Sequence, residues 1–310
     1  MPRYHVQRAI QIAASREKVF ETVADFGTWT TWSPWLCAEP DAQVTVTGER
    51  AAVGAKYAWQ GEIVGAGEIE HLRLEAPRSI EDEIRFIKPF RSQSNVGFEL
   101  EAVGEETKIT WHMQGKLPWF MFWMSSMMET MIGMDYERGL KMLKDLLETG
   151  HIESHTSVQG VTSIGPLHML GVRNTCTVQE IGKSTEAALG KAKQLLQQHH
   201  LPSDGEMISV YHRFDMKTGT FEHTSGYIVP APEPAAGTGL SSWSTPATRA
   251  FQVTHIGSYA HLGNAWSAAN MISRYKKLKM CKTGTFELYK TTPPETPSGE
   301  LRTEIYLPLR

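Results

Sequence analysis

Two short segments near the C-terminus, residues 285–290 and 301–307, carry the side chains best suited to chemistry. Alternate side chains of an extended strand point to opposite faces, so Glu287 and Tyr289 share one side and Phe286 and Leu288 the other. By the same parity Arg302, Glu304 and Tyr306 oppose Leu301, Ile305 and Leu307. If helices cover the aliphatic side of both strands, the opposite side presents two carboxylates and two tyrosines together. A solvated outer sheet face would read the same way. Desolvated beside aromatic rings, a carboxylate supplies charge complementarity for a cation while the rings supply contact area. Without a partner its pKa rises, and it becomes a general acid or base.

Other reactive side chains lack the spacing that chemistry needs. Cys37, Cys176 and Cys281 are far apart and odd in number, with no Cys/His ligand spacing, so neither a disulfide framework nor a zinc site is indicated. His112 falls in a strand-like segment, and His199 and His200 end a helical one, where a cation favours the dipole. His255 and His261 flank Gly257, Ser258 and Tyr259, with no serine or cysteine nucleophile in a recognisable elbow. Gly65-Ala66-Gly67 lacks the spacing and following helix of a nucleotide loop. No cofactor and no metal is assigned.

The elements that must position these residues fall into two halves. The first opens with a strand at 6–12 and a helix whose N-cap is Ser15. The aromatic run Trp29-Thr-Thr-Trp32-Ser-Pro-Trp35 follows, then strand-like segments at 43–47, 56–64, 67–76, 79–87, 94–101 and 108–114. A long helix is predicted over 119–147, ending at Gly150, a residue suited to a left-handed C-cap. Along it Met121, Met124, Met128 and Met131 form a stripe with Met127 and Met134 beside it, and Trp119, Phe120 and Trp123 precede it. Such a stripe reads as core packing or as a deformable wall for an apolar ligand. The polar segment 150–162 reads as a linker.

The second half contains a repeat, each copy running strand, helix, strand, strand. The first copy takes in 167–176, 181–199, 207–214 and 221–229, and the second 249–256, 262–277, 285–290 and 301–307. Tyr211 matches Tyr289, Gly226 matches Glu304 and Pro230 matches Pro308 at one constant offset. A Pro-rich segment over 230–239 connects the copies. The predicted class is α+β: an N-terminal helix-grip antiparallel sheet with a long C-terminal helix, then a domain of two strand-helix-strand-strand repeats.

The opening segment His5-Val-Gln-Arg-Ala-Ile-Gln-Ile-Ala-Ala-Ser-Arg-Glu-Lys-Val-Phe-Glu-Thr-Val-Ala-Asp-Phe26, with the tryptophan run after it, resembles the START-like (SRPBCC, polyketide cyclase/dehydratase) superfamily. Phe251-Gln-Val-Thr-His-Ile-Gly-Ser-Tyr-Ala-His-Leu-Gly-Asn-Ala-Trp266 and the ending Leu301-Arg-Thr-Glu-Ile-Tyr-Leu-Pro-Leu309 resemble gyrase-inhibitor-like, AraC-type effector-binding domains. The two resemblances imply a START-like domain over 1–149, a linker over 150–162 and a GyrI-like domain over 163–310. In the latter family the sheet face away from the helices is expected to form a cleft holding a buried acid among aromatics. Carried over by position, Glu287, Glu304 and Tyr306 would line it, with Tyr211, Tyr227 and Tyr259 nearby and Trp243 as a lid. Glu304 with Tyr306 or Tyr289 would be the pair to test for catalysis. In the START-like half Glu83, Arg85 and His112 are the expected polar pocket residues.

These resemblances imply binding of hydrophobic, including cationic, small molecules in the C-terminal cleft and in a second helix-grip cavity, by a sensor or sequestering protein. The alternatives are a small-molecule hydrolase using Glu304 with a tyrosine, or a cyclase-like enzyme in the N-terminal half. The helix-grip half stands where transcription factors of the effector-binding family carry a DNA-reading domain, so DNA binding is not expected. The 310 residues suit two domains with a core each, and a net charge of −3 with pI near 6.5 gives no footprint for nucleic acid or an anionic membrane. The apolar stretch over 117–134 contains Glu129 and is too short and interrupted for a span, so a soluble protein is expected, and the unpaired cysteines point to the reducing cytoplasm.

Overall fold

The chain begins as its pattern dictates. In β1 (Arg3–Ile12) Tyr4, Val6 and Ile12 turn inward between exposed neighbours. Ser15 then accepts a hydrogen bond from the backbone N–H of Lys18 and starts α1 (Arg16–Ala24). The computed structural model describes residues 3–116, 119–231 and 236–310, excepting the side chains of 121 and 122. Two units divide it, Met1–Ile152 and Glu153–Arg310.

In the first unit, α2 (Trp29–Trp32) is followed by β2 (Gln43–Thr47), β3 (Lys56–Gln60), β4 (Ala66–Glu75), β5 (Ser79–Lys88), β6 (Ser92–Val103) and β7 (Glu106–Lys116). Every pairing is antiparallel, in the order β1-β7-β6-β5-β4-β3-β2. A 3₁₀ turn, Trp119–Met124, leads into α3 (Ser125–Thr149), which ends at Gly150 with φ 81°. The helix expected from 119 therefore starts six residues later. Met124 and Met128 pack against the core and Met131 turns outward. Met121, the first of the predicted stripe, lies outside the described side chains.

The interior between this sheet and α3 is filled by rings. Trp111 stacks on Tyr136 with centroids 4.0 Å apart and on Phe98 at 5.1 Å, while Trp29 and Trp32 abut it edge-on. Two recesses lie at the surface of this unit. One, about 260 Å³, runs along Thr30, Thr31, Cys37 and Val44. The other, about 290 Å³, lies on the outer sheet face beside His112, Glu81, Glu99 and Asn95.

The second unit starts with β8 (Ser154–Ile164), so most of the stretch expected to be a linker is an edge strand paired with β13 (Thr248–Gly257). Its polar, half-exposed residues hid it, because an edge strand buries too little to show alternation. The first repeat is β9 (Leu167–Thr177), α4 (Ile181–Gln198), β10 (Met207–Asp215) and β11 (Thr220–Val229). The second is β13, α5 (Leu262–Tyr275), β14 (Thr285–Tyr289) and β15 (Arg302–Pro308), with β12 (Ser241–Thr245) as an extra edge strand between them. The sheet order β12-β9-β11-β10-β14-β15-β13-β8 makes the copies mirror each other about the β10–β14 pair. Residues 232–235 of the Pro-rich connection lie outside the described residues. α4 packs chiefly on β9 and β11, and α5 on β13 and β8, so the two central strands run beneath the gap between the helices.

Candidate functional site

Register decides where the predicted acids point. Glu287 pairs with Ile305, and Leu288 pairs with Glu304. Partners across an antiparallel ladder share a face, so Glu287 and Glu304 lie on opposite faces of the sheet. The expectation of one face holding both carboxylates fails at this point. Parity within each strand is as predicted, but the aliphatic sides of β14 and β15 do not coincide.

On the helix-covered face, Glu287 is 1% exposed and sits at the centre of the mirrored repeat. Its carboxylate accepts three hydrogen bonds. Tyr211 and Tyr289 donate to Oε1 at 2.9 and 2.5 Å, and the indole N–H of Trp266 donates to Oε2 at 2.7 Å. Tyr211 and Tyr289 are repeat mates, so the symmetry of the fold brings both hydroxyls to one oxygen. At the repeat offset the mate of Glu287 is Ser209, which is also its register partner on β10. The frame is symmetric and the charge is not.

The rings form a cage: Trp266 lies edge-on to Tyr211 at 5.1 Å, and Tyr259 edge-on to Tyr289 at 5.6 Å. Tyr211, Tyr259 and Trp266 are each partly exposed, so the cage reaches the surface through its own walls. All three donors to Glu287 are uncharged. Burial raises its pKa, and the bonds from Tyr289, Trp266 and Tyr211 offset this only in part. Burial next to that carboxylate holds the Tyr211 and Tyr289 hydroxyls well above the ordinary tyrosine value and pushes Tyr259 up to about 12.

Glu304 is in a different situation. On the opposite face it accepts from the Tyr306 hydroxyl at 2.7 Å and from Arg302 at 2.6 Å, with the Lys290 ammonium 3.6 Å away. Burial acts to raise its pKa, but Tyr306, Lys290 and Arg302 outweigh it, and the net shift is downward. Tyr306 stacks on Phe286 at 5.2 Å, and Trp243 of β12 abuts Phe286 at 5.4 Å while donating to the Thr283 carbonyl. Glu304, Tyr306 and Trp243 therefore belong together, apart from Glu287. Tyr227 shares the face of Glu287 but packs with Leu170, Ala188 and Leu196 beneath α4.

In the first unit, Glu83 and Arg85 point to the outer sheet face, where Arg85 bridges Glu68, Glu70 and Glu83. His112 lies on the same face over Gly97, where a Cβ would meet its ring at 2.8 Å. The polar pair that does point inward was not predicted. His71 Nδ1 lies 2.5 Å from Asp82 Oδ1, and its Nε2 lies 2.9 Å from the Ala24 carbonyl oxygen. Trp266, Ser209, Ser225 and His223 were also absent from the expected site, although the constant repeat offset already mapped Ser209 onto Glu287.

Two family models match the chain. Residues 3–148 match "Polyketide cyclase / dehydrase and lipid transport", and residues 161–310 match "GyrI-like small molecule binding domain". The chain is a fusion of these two families. Among solved structures it is similar to the Aha1 dimer from Colwellia psychrerythraea (18% identity over 47% of this chain and 97% of that one, TM-score 0.34). CalU16 from Micromonospora echinospora is similar at 16% identity over 48% and 86% of the two chains, TM-score 0.34. The EcmrR–DNA complex is similar at 15% identity over 60% and 65%, TM-score 0.41. Likenesses of this size carry nothing about function. No curated protein matches the chain. The GyrI-like half is a small-molecule-binding domain, and no helix among the described residues is long and apolar enough to cross a membrane.

Proposed function

We propose that the GyrI-like domain binds an apolar, cationic small molecule at the Glu287 cage, as a sensor or sequestering module rather than a reader of nucleic acid. One observation carries this reading: a fully buried carboxylate is held by three uncharged donors and ringed by Tyr211, Tyr259, Trp266 and Tyr289. A buried charge normally finds an opposite charge. A lipophilic cation provides it, and the ring faces attract the same cation. The net charge of −3 supports small-molecule handling over contact with a polyanion. The salt-bridged surroundings of Glu304 support a structural role for that acid, and they favour Glu287 as the carboxyl that meets the ligand.

Equilibrium binding of tetraphenylphosphonium to the wild-type chain and to Glu287→Gln tests the proposal. Loss of the charge should weaken binding about tenfold or more, while an uncharged triphenyl compound of similar size should bind both proteins alike. Equal affinity of the two proteins for the cation would refute the reading.

The raised pKa of Glu287 also favours a second reading, general acid–base hydrolysis at the same carboxyl. Incubation with a metabolite extract followed by mass spectrometry separates the two. Binding retains compounds without consuming them, whereas Glu287-dependent consumption indicates an enzyme.

A further inference from the structure

The sheet face beneath α4 buries a set of polar side chains that packing alone does not require. Ser209, Ser225 and His223 are fully buried, on adjacent strands, next to the carboxyl of Glu287. They are joined without a gap. The Tyr289 hydroxyl lies 2.5 Å from Glu287 Oε1 and 3.1 Å from Ser209 Oγ. Ser209 Oγ lies 2.8 Å from Ser225 Oγ, and Ser225 Oγ 3.0 Å from His223 Nδ1. His223 Nε2 lies 2.9 Å from the Ser184 hydroxyl, in the first turn of α4, where the chain of contacts reaches a partly exposed residue.

We propose that Ser184, His223, Ser225, Ser209 and Tyr289 form a proton relay that loads and unloads the Glu287 carboxyl from solvent while the aromatic cage stays closed. The proposal rests on Glu287 being the ligand-binding carboxyl, and it adds how that site changes its charge.

The chain has two self-consistent polarities. With Glu287 ionised, Tyr289 donates to it, Ser209 to Tyr289, Ser225 to Ser209 and His223 Nδ1–H to Ser225, while Ser184 donates to Nε2. With Glu287 protonated every bond reverses: the carboxyl donates to Tyr289, the hydroxyls donate onward to Nδ1, and Nε2–H donates to Ser184. Passing from the second state to the first releases one proton at Ser184 to water and leaves one negative charge on Glu287. The reverse passage takes one proton from water. Each hydroxyl gives one proton and receives one, the imidazole changes tautomer, and no ring turns over. A cation arriving at the cage drives release, and its departure drives uptake, so the relay resets with each cycle.

The groups facing the chain suit this role. His223 is held down to about pKa 4 by burial and the neighbouring His212, so it stays a neutral donor–acceptor near neutral pH. Around Glu287 the facing groups are Tyr211 on β10, Tyr289 on β14, Trp266 on α5 and Tyr259 before it. Near the outer end Ser184 also contacts the Cys176 thiol, with Glu180 beyond it. No charged side chain interrupts the path among the described residues.

The test needs no ligand. The carboxylic-acid C=O band of Glu287 is identified by infrared difference against Glu287→Gln, and its hydrogen–deuterium exchange is timed in D₂O for the full chain. Ser225→Ala removes one link and none of the donors to Glu287. Exchange should slow about tenfold or more. Ser209→Ala should slow it likewise, and the double variant no further, because breaks in series do not add. A change that merely loosens the fold would speed exchange instead. An unchanged or faster rate in Ser225→Ala overturns the relay, and so does the lack of any protonated Glu287 band from about pH 5 to about pH 8. Failure of tetraphenylphosphonium binding with a normal relay would instead count against the proposed ligand class.

Discussion

A histidine with both ring nitrogens against acceptors has its protonation set by geometry. The Ala24 carbonyl can only accept, so His71 Nε2 carries a hydrogen, and a second proton lies between Nδ1 and Asp82. Imidazolium with carboxylate and imidazole with carboxylic acid both satisfy this, and both are uncharged overall. Burial pushes the Asp82 carboxyl up, and the bond to His71 offsets this only in part. Phe26 stacks on the imidazole at 3.9 Å, which keeps water out. Asp82→Ala should therefore cost about 3–5 kcal/mol, since it strands the histidine in the core. Urea unfolding would measure it, and a cost under about 1 kcal/mol would mean that the pair is not formed. Nothing in the sequence marked these two residues. They lie on strands whose neighbours read as ordinary alternation, and they meet through a register that no local pattern encodes.

At the scale of elements the sequence was most legible where period and punctuation coincide. The repeat, the Ser15 cap and the Gly150 stop could be read from residue types alone. The edge strands β8 and β12 could not, and neither could the pairing of β14 with β15. Strand parity is a property of one segment, whereas facing is a property of two, and a shift of one residue reverses it. That single step separates the expected two-acid cleft from the observed division of Glu287 and Glu304. The repeat also explains why Glu304 has no counterpart. Its mate is Gly226, where a Cβ would lie 2.0 Å from the Leu170 carbonyl oxygen and 2.4 Å from the Gly171 Cα. The strands β9 and β11 approach too closely there for any side chain. Gly226→Ala should cost about 3 kcal/mol or more by forcing these strands apart. Chemical denaturation checks this, and a variant as stable as wild type would mean that the close approach is not fixed.

Across the whole molecule the two glutamates make opposite demands on pH. Glu304 has a folded pKa below its ordinary value, so it contributes stability above that value and loses it as pH falls through the folded one. Glu287 has a folded pKa above its ordinary value. Its contribution is complete at low pH and is lost as pH rises through the folded one. Between these limits the second unit gains from one acid while the other works against it. Urea midpoints measured across pH should separate them. Glu304→Gln should flatten the acid side of the profile and lower stability near neutrality by about 1–3 kcal/mol, the value of hydrogen bonds to a charged group. Glu287→Gln should flatten the descent toward high pH and leave the acid side as it was. Tetraphenylphosphonium should then stabilise the wild-type chain most above the folded pKa of Glu287, and progressively less below it, because binding there must first release the proton. Two variants with the same altered slope would mean that the sheet does not hold its acids in two different states. Opposite slopes would make the buried acid at the centre of the repeat a site kept under electrostatic strain until a cation relieves it.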